Sequence, residues 1–411
     1  MNAEVISLGC RLNIAESETI RALLEGERDV VVVNSCAVTA EAVRQTRQAI
    51  RKARRACPDA RLLVTGCAAE VERDQLAAMP EVDGLVPNAR KLDARAYSPS
   101  PLGEGLGWGL SGTAALDRQA PPPTPPLKGR GEAHTRAFIG VQNGCDHACT
   151  FCVIPQGRGP SRSLPVAEVL REVRRHGASE VVLTGVDLTS WGHDLPGSPS
   201  LGSLVEAILN AFPAMPRLRL SSLDGIEIDA HLFELLASEE RVMPHLHLSL
   251  QHGHDLILKR MKRRHLRADA VNLVERLRAR RPEIAIGADL IAGFPTEDEA
   301  MHEANRSIIR ELGIVHGHVF PYSSRPGTPA ARMPQIDRAA VKTRAAELRA
   351  EVAEARRAWL AGLIGAELSV LAEADGTGHA PNFARVALPT GTAPGSIVSV
   401  TPHRVEQGLL A

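Results

Sequence analysis

Three cysteines within eight residues are the feature that most constrains how this chain can fold. Cys145, Cys149 and Cys152 follow the spacing C-x-x-x-C-x-x-C. A four-iron cluster is normally held by four cysteine thiolates, so a set of three leaves one iron open to chelate a small molecule. The spacing therefore predicts a catalytic [4Fe–4S] site, with the loop folded around one metal centre. A zinc knuckle, with His147 as its fourth ligand, is the alternative.

A second set of cysteines lies upstream, each at the end of a short run rich in β-branched residues. The three runs end at Cys10, Cys36 and Cys67. Such runs are typical of buried parallel strands, and ligands of an open α/β sheet gather beyond the carboxyl ends of its strands. We therefore expect these cysteines to converge on a second metal site, also one ligand short. Three buried cysteines that merely cap strands are the alternative. Cys57 lies outside this pattern, and we expect it not to bind metal.

Composition limits the class of protein. A chain of 411 residues can form two or three domains, and its hydrophobic fraction of 44% is ordinary for a globular protein. We find neither a signal-peptide pattern nor an apolar run of about 20 residues, so we predict a cytoplasmic protein without a membrane partner. Seven cysteines in a reducing compartment favour metal binding over disulfides. Because the formal net charge is zero, a nucleic-acid partner must be bound by local basic patches.

Several sequence motifs of this chain resemble those of one protein family. The segment Gly9–Asn13 with Glu16–Glu18, and the segments Asn34–Thr39 and Val64–Cys67, are similar to the N-terminal domain of the methylthiotransferases, a branch of the radical S-adenosylmethionine (SAM) enzymes. The cysteine triplet and the segment Arg158–Ser163 after it resemble the same family.

The resemblance implies two [4Fe–4S] clusters, one on Cys10, Cys36 and Cys67 and the other on the downstream triplet. In the radical SAM superfamily the open iron of the triplet's cluster chelates SAM, and one electron cleaves SAM to a 5′-deoxyadenosyl radical. The clusters and SAM would then carry the chemistry, so we predict no catalytic side chain.

The middle of the chain alternates between apolar runs and helical patterns, which predicts βαβ units and a parallel sheet. The resulting fold class is α/β. It comprises an N-terminal open parallel α/β domain, a partial (β/α)6 radical SAM barrel and a small C-terminal β-barrel of the oligonucleotide-binding type, similar to a TRAM domain. The predicted strands of the barrel are Ala137–Val141, Val181–Thr184, Leu218–Ser221, Leu246–Leu250, Ile284–Ile291 and Ile314–Phe320. The predicted domains are 1–96, 134–364 and 365–411, joined by a Pro/Gly-rich disordered linker or insertion at 97–133.

Sites in such a barrel lie at the carboxyl ends of the strands. Most predicted SAM contacts are chosen because they lie near those strand ends. The aromatic residue beside the cysteine triplet is chosen because of the family resemblance. The predicted contacts are Phe151, Thr184, Gly185, Ser222, Gln251 and Asp289. In the segment Gly293–Glu297, Thr296 stands where the family usually has glycine.

Two basic clusters and one C-terminal motif are predicted to contact RNA. Arg44, Arg47 and Arg51 share one face of a helix, and Arg385 lies in a segment that resembles a TRAM domain. Lys259–Arg267 forms the second cluster. For both clusters the alternative is an ordinary solvated surface.

Together these features predict a transferase that adds a methylthio group to C2 of N6-threonylcarbamoyladenosine at tRNA position 37. The expected partners are the tRNA anticodon stem-loop and an electron donor such as flavodoxin or ferredoxin. The alternatives are methylthiolation of N6-isopentenyladenosine or of a ribosomal-protein aspartate, and a metal-stabilised RNA-binding protein that is not an enzyme.

Overall fold

The computed structural model describes residues 2–97 and 135–411, and these residues form two compact units. The N-terminal unit comprises 2–97 together with 156–158, and the C-terminal unit comprises 135–155 and 159–411. Apart from Tyr97, the predicted linker 97–133 lies outside the described residues. No helix in the described ranges is long and apolar enough to cross a membrane.

The N-terminal unit contains one parallel sheet whose four strands lie side by side in chain order. The predicted β-branched runs form its first three strands, because all-apolar runs are suited to a sheet covered on both faces. The strands are β1 (Glu4–Ser7), β2 (Val30–Ser35), β3 (Arg61–Gly66) and β4 (Gly84–Leu85).

Helices cover both faces of this sheet. Ile20 and Leu24 pack with Val32 on one face, while Val43 and Ile50 pack in the core of the other face. The helices are α1 (Arg11–Leu23), α2 (Ala40–Ala56), α3 (Cys67–Val71) and α4 (Arg73–Ala77), with 3-10 turns at Asn88–Arg90 and Ala94–Ala96.

The C-terminal unit confirms all six predicted barrel strands to within one residue at each end. They form two parallel sheets, β5-β8-β9 and β10-β11-β12-β13, and only Ser221 separates β9 from β10. The strands are β5 (Arg136–Gly140), β6 (Gln142–Asn143), β7 (Arg162–Ser163), β8 (Glu180–Thr184), β9 (Arg217–Leu220), β10 (Ser222–Leu223), β11 (His245–Gln251), β12 (Ala285–Ala292) and β13 (Ile314–Pro321).

Alternate residues of these strands pack against helices in one large core. Leu246, Leu248 and Leu250 of β11 belong to it, as do Ile286 and Leu290 of β12. Because side chains alternate along a strand, the residues between them lie on the opposite face. The helices that contribute to this core include α6 (Val166–His176), α7 (Leu201–Ala211), α8 (Ala230–Ser238), α10 (Arg267–Arg280) and α11 (Glu299–Leu312). Two further helices are α5 (Ile154–Arg158) and α9 (Asp255–Arg260), and 3-10 turns lie at Leu188–Ser190, Gly225–Glu227 and Pro329–Arg332.

The predicted long helix, α12 (Arg338–Ala361), leads into a small β region. Asp337 caps this helix as expected, since its carboxylate accepts hydrogen bonds from the N–H groups of Ala339 and Ala340. The six strands that follow lie in the order β17-β14-β15-β16-β19-β18, and their apolar residues form a separate core. They are β14 (Leu368–Ala372), β15 (Thr377–His379), β16 (Arg385–Ala387), β17 (Ile397–Val400), β18 (Val405–Glu406) and β19 (Leu409–Leu410).

Buried arginines of the barrel hold this β region in place within the C-terminal unit. Arg217 donates to the carbonyl oxygens of Ser369 at 2.7 Å and His379 at 3.0 Å. Arg219 donates to Pro381 O at 3.1 Å and pairs with the buried Glu180.

Candidate functional site

The three upstream cysteines lie at one edge of the N-terminal sheet, beyond the carboxyl ends of successive parallel strands. Cys10 immediately precedes α1, Cys36 follows β2, and Cys67 begins α3 directly after β3. Burial raises the pKa of Cys36 to about 11, and the nearby sulfurs of Cys67 and Cys10 add to the rise. The three thiols are therefore close enough to interact electrostatically. Cys57 follows the far end of α2 and does not lie at the end of a strand.

Two glycines permit the close backbone packing behind these cysteines. Gly9 has a φ of +97°, and a β-carbon there would lie 2.9 Å from Cys36 Sγ. Gly66 has a φ of +89°, and a β-carbon there would lie 2.4 Å from Ser35 O. Each backbone conformation and each contact excludes a side chain, so glycine precedes a cysteine at both places for a physical reason.

A fully buried charge network lies beside the same cysteines. Glu16 accepts from Arg158 Nη1 at 2.8 Å and Nη2 at 3.2 Å, and from Lys91 Nζ at 2.5 Å. These three side chains are at most 4% exposed. Burial alone would raise the pKa of Glu16, but Arg158 and Lys91 outweigh it and hold this pKa at about 2.

Arg158 also interacts with the cysteines. Burial opposes its charge, yet Glu16 and the thiols of Cys67 and Cys10 raise its pKa well above the ordinary value. Its Nη2 also donates to Asn13 Oδ1 at 2.5 Å. A permanent cation therefore lies beside sulfur ligands, which suits the negative charge that thiolates bring to an iron–sulfur centre.

The downstream triplet has a similar supply of donors. The N–H groups of His147 and Ile154 lie 3.4 Å from the sulfurs of Cys145 and Cys152, and Arg263 Nη1 lies 3.7 Å from Cys149 Sγ. Burial raises the pKa of Cys145, and Asp187 and the other two thiols raise it further. These donors favour thiolates at a site where burial alone would disfavour them.

The spacing of the sulfurs argues against a single zinc ion. In a tetrahedral zinc site with Zn–S bonds of about 2.3 Å, the sulfurs lie roughly 3.8 Å apart. Among the described residues, several sets of three ligand atoms lie within 4.8 Å of one another. Neither cysteine triplet is such a set. His147, the expected fourth zinc ligand, directs Nε2 to Asp187 Oδ2 at 2.9 Å. In neither triplet do all three sulfurs lie as close together as a single zinc ion needs, whereas Cys145 forms such a group with His147 and Asp187.

Most of the predicted SAM contacts lie at strand ends. Thr184 ends β8, Gln251 ends β11 with a strained φ of +69°, and Ser222 begins β10. Phe151 packs edge-on against Phe294, with ring centroids 6.4 Å apart. The side chain that approaches Gly185 is that of Gln142, whose Oε1 accepts from the N–H groups of the two residues after Gly185.

The remaining predicted SAM contact, Asp289, is bound by two histidine side chains. Asp289 lies within β12, three residues before its end, and not at the carboxyl edge. Its Oδ1 accepts from His247 Nε2 and His318 Nδ1, each at 3.1 Å. Burial would raise the pKa of Asp289, but the two histidines hold it below its usual range. The carboxylate is therefore already bound between two imidazoles.

The predicted RNA-contacting arginines all have acidic partners. Arg44 pairs with Glu41 at 2.7 Å, and Arg385 with Asp375 at 2.7 Å. Arg47 and Arg51 pair more loosely, at 3.6 and 3.7 Å, with glutamates that follow β3. In the second basic cluster, Arg263 binds Asp224 and Arg264 binds Glu227. Sequence analysis missed these pairs, because only the partner of Arg44 lies at helical spacing in the same helix.

Comparison with known proteins identifies the family. The model of the radical SAM superfamily matches residues 139–307, and that of the uncharacterized protein family UPF0004 matches residues 2–87. A threonylcarbamoyladenosine tRNA methylthiotransferase of Rickettsia prowazekii is 43% identical over 415 residues, covering 100% of this chain and 97% of the relative. This chain belongs to the radical SAM methylthiotransferase family. The predicted enzyme class, a transferase of sulfur-containing groups, and its cofactors, SAM and [4Fe–4S] clusters, are thereby confirmed.

Relatives named for another nucleoside are less identical to this chain than the Rickettsia relative is. A tRNA-2-methylthio-N(6)-dimethylallyladenosine synthase of Cereibacter sphaeroides is 34% identical, covering 90% of this chain and 86% of the relative. Among solved structures, the radical SAM methyltransferase TsrM of Kitasatospora setae, with cobalamin and a [4Fe–4S] cluster bound, has a TM-score of 0.55 at 16% identity. It covers 80% of this chain and 74% of its own. This likeness supports the radical SAM α/β fold.

Proposed function

We propose that this methylthiotransferase adds a methylthio group to C2 of N6-threonylcarbamoyladenosine at tRNA position 37, adjacent to the anticodon. The observation that carries the proposal is the identity of 43% over the whole length of a relative named for that nucleoside. Relatives named for the dimethylallyl nucleoside reach 34% over shorter alignments.

Six cysteines are the proposed ligands of the clusters. Cys10, Cys36 and Cys67 hold one [4Fe–4S] cluster, and the downstream triplet of Cys145, Cys149 and Cys152 holds the other. When bound, one cluster supplies the electron and the open iron for SAM cleavage, and the other supplies a site for sulfur. Within the N-terminal unit, Arg158 balances thiolate charge and is itself held by Glu16. Arg263 does the same beside Cys149.

The carboxyl edge of the barrel strands is the proposed SAM site, formed by Phe151, Thr184, Gly185, Ser222 and Gln251. The aromatic ring of Phe151 and the strained Gln251 suit this role, because strained backbone tends to occur where a ligand is bound. Asp289 is removed from this set, because its carboxylate is occupied by His247 and His318.

The C-terminal strands are proposed to form a TRAM-type RNA-binding barrel. Arg44 and Arg385 remain proposed phosphate contacts, as do Arg47 and Arg51, although each has an acidic partner. Exposed ion pairs are worth about 0–1 kcal/mol, so an RNA phosphate can replace a carboxylate at low cost. Arg44 and Arg385 are about half exposed or more, at 65% and 48%.

The remaining proposals concern partners and organisation. The anticodon stem-loop is the proposed RNA element, and flavodoxin or ferredoxin the proposed class of electron donor. The cytoplasm is the proposed compartment, because thiols stay reduced there and can bind metal. The domain bounds 1–96, 134–364 and 365–411 also remain proposals.

The test uses anaerobically reconstituted enzyme and three stem-loop RNAs that carry threonylcarbamoyladenosine, isopentenyladenosine or adenosine at position 37. Mass spectrometry of the digested RNA should show a methylthio gain on the first RNA only. Cys36→Ser and Cys145→Ser should abolish the gain, and Cys57→Ser should retain it. A gain on the isopentenyl RNA alone, or on a ribosomal protein with RNA unchanged, would assign another branch. RNA binding without SAM cleavage would make the chain a binding protein.

A further inference from the structure

The barrel strands of the C-terminal unit carry a ladder of polar side chains on the face opposite their helix-packed leucines. His245 and His247 lie two residues apart on this face of β11, and His316 and His318 lie two residues apart on this face of β13. Asp289 lies on β12 directly beside His318 in the strand register. The lower end of the ladder is closed, because His245 and His316 pack against Phe383 with ring centroids 5.0 and 5.6 Å apart.

The upper part of this ladder, His247, Asp289 and His318, is a built arrangement. Both imidazoles donate to the same oxygen of Asp289 at 3.1 Å, and their ring centroids lie 4.6 Å apart. Gly287 makes room for it, since a β-carbon there would lie 2.4 Å from His247 Nδ1. The carboxylate therefore fixes the orientation of both rings.

Exposure increases steadily along these three side chains. His247 is 6% exposed, Asp289 21% and His318 60%. Among residues 2–97 and 135–411, the ring of His318 makes its hydrogen bond through Nδ1, and Nε2 makes none. An oriented imidazole with a free nitrogen can bind a polar ligand group at little entropic cost.

The ladder lies close to the proposed reaction site. Asp289 precedes the end of β12 by three residues, which is roughly 10 Å along a strand. C2 of adenine and the carbon that bears N6 flank the same ring nitrogen. Any pocket that holds C2 at the strand ends must therefore also accommodate the N6 substituent nearby.

The two kinds of nucleoside named for the relatives differ in this substituent. The threonylcarbamoyl group carries a carboxylate, a hydroxyl and a urea, whereas the dimethylallyl group is a hydrocarbon. A buried polar group without a partner is costly, so an imidazole pair favours the first and disfavours the second.

We propose that His318, positioned by Asp289 and His247, binds the polar N6 substituent of the substrate adenosine and determines specificity for threonylcarbamoyl over a hydrocarbon group. This inference rests on the proposed function. His318 makes the contact, and the other two side chains are positioning residues.

The experiment measures binding of the reconstituted enzyme to stem-loops with and without the threonylcarbamoyl group, by fluorescence anisotropy. The variants are His318→Phe, which keeps a ring without a hydrogen-bonding nitrogen, and His318→Gln, which retains hydrogen-bonding atoms. His231→Phe is the matched control. It removes a half-exposed imidazole of helix α8 that pairs with Glu206 of helix α7. SAM cleavage and iron content are measured on each preparation.

His318→Phe should lose about tenfold or more of the preference for threonylcarbamoylated RNA, while iron content and RNA binding without the group stay at wild-type values. His318→Gln should keep part of the preference, and His231→Phe all of it. Equal preference in His318→Phe and wild type would overturn the inference and leave the proposed function intact. A wild type without any preference would instead count against the proposed function. The inference would also be overturned if the protein bound zinc or iron in addition to the clusters and Asp289→Asn removed that extra metal. His247, Asp289 and His318 would then be metal ligands.

Discussion

The most demanding prediction concerns the buried Glu16, which holds two cations beside the N-terminal cysteines. Glu16→Gln keeps the shape of the side chain but removes the charge that Arg158 and Lys91 share. Both cations are almost fully buried, and removing one partner of a buried pair costs about 3–5 kcal/mol. We therefore expect the N-terminal unit to lose about that much stability.

Hydrogen exchange with mass spectrometry is the suitable assay, because it reports the local free energy of opening for each unit separately. Peptides from α1 should exchange at least about 100-fold faster in Glu16→Gln, since each 1.4 kcal/mol is a factor of ten. Glu41→Gln is the control. Its carboxylate pairs with Arg44 at the surface, where solvent screens the pair and its loss changes stability little. Equal exchange in the two variants would refute the stabilising role of the network.

Three further predictions follow from local contacts. Gly66→Ala should destabilise the N-terminal unit more than Gly26→Ala by denaturant unfolding, because both have positive φ but only Gly66 faces atoms within 3 Å; equal losses would reject the steric explanation. Glu297, whose pKa burial would raise, is instead held at about 2 by His252, His302 and Arg344. The charged Glu297 should stabilise the fold by about 3 kcal/mol above pH 4.5, and this contribution should be lost as the pH falls through 2. The free energies of unfolding of wild type and Glu297→Gln should therefore converge in acid, and a constant difference would contradict this pKa. Reconstituted Cys36→Ser should lose the iron of one cluster, while Cys57→Ser keeps both; iron loss in Cys57→Ser would show that our ligand set is wrong.

Much of the fold could be predicted because local signals were strong. Each barrel strand is a short apolar run bounded by polar or turn residues, and each was located to within one residue. The helix α12 began at the expected cap, Asp337. The resemblance to the family marked Thr296 as a departure from glycine, and its φ of +69° explains why glycine suits that position.

The parts that escaped prediction depend on contacts distant in sequence. Arg158 and Glu16 lie 142 positions apart, and no periodicity links them. Asp289 was expected near a strand end, but no local pattern shows that His247 of β11 and His318 of β13 bind its carboxylate. The sequence pattern of α2 predicted an unpaired basic face. The glutamates that pair with Arg47 and Arg51 lie outside this helix, after strand β3.

Nucleoside analysis of tRNA from a strain that lacks this chain tests the central claim most directly. Digested tRNA should contain N6-threonylcarbamoyladenosine in place of its 2-methylthio derivative, and a plasmid copy should restore the methylthio form. The Cys145→Ser copy should fail to restore it. Loss of the methylthio group from isopentenyladenosine instead, or an unchanged nucleoside profile, would contradict the account.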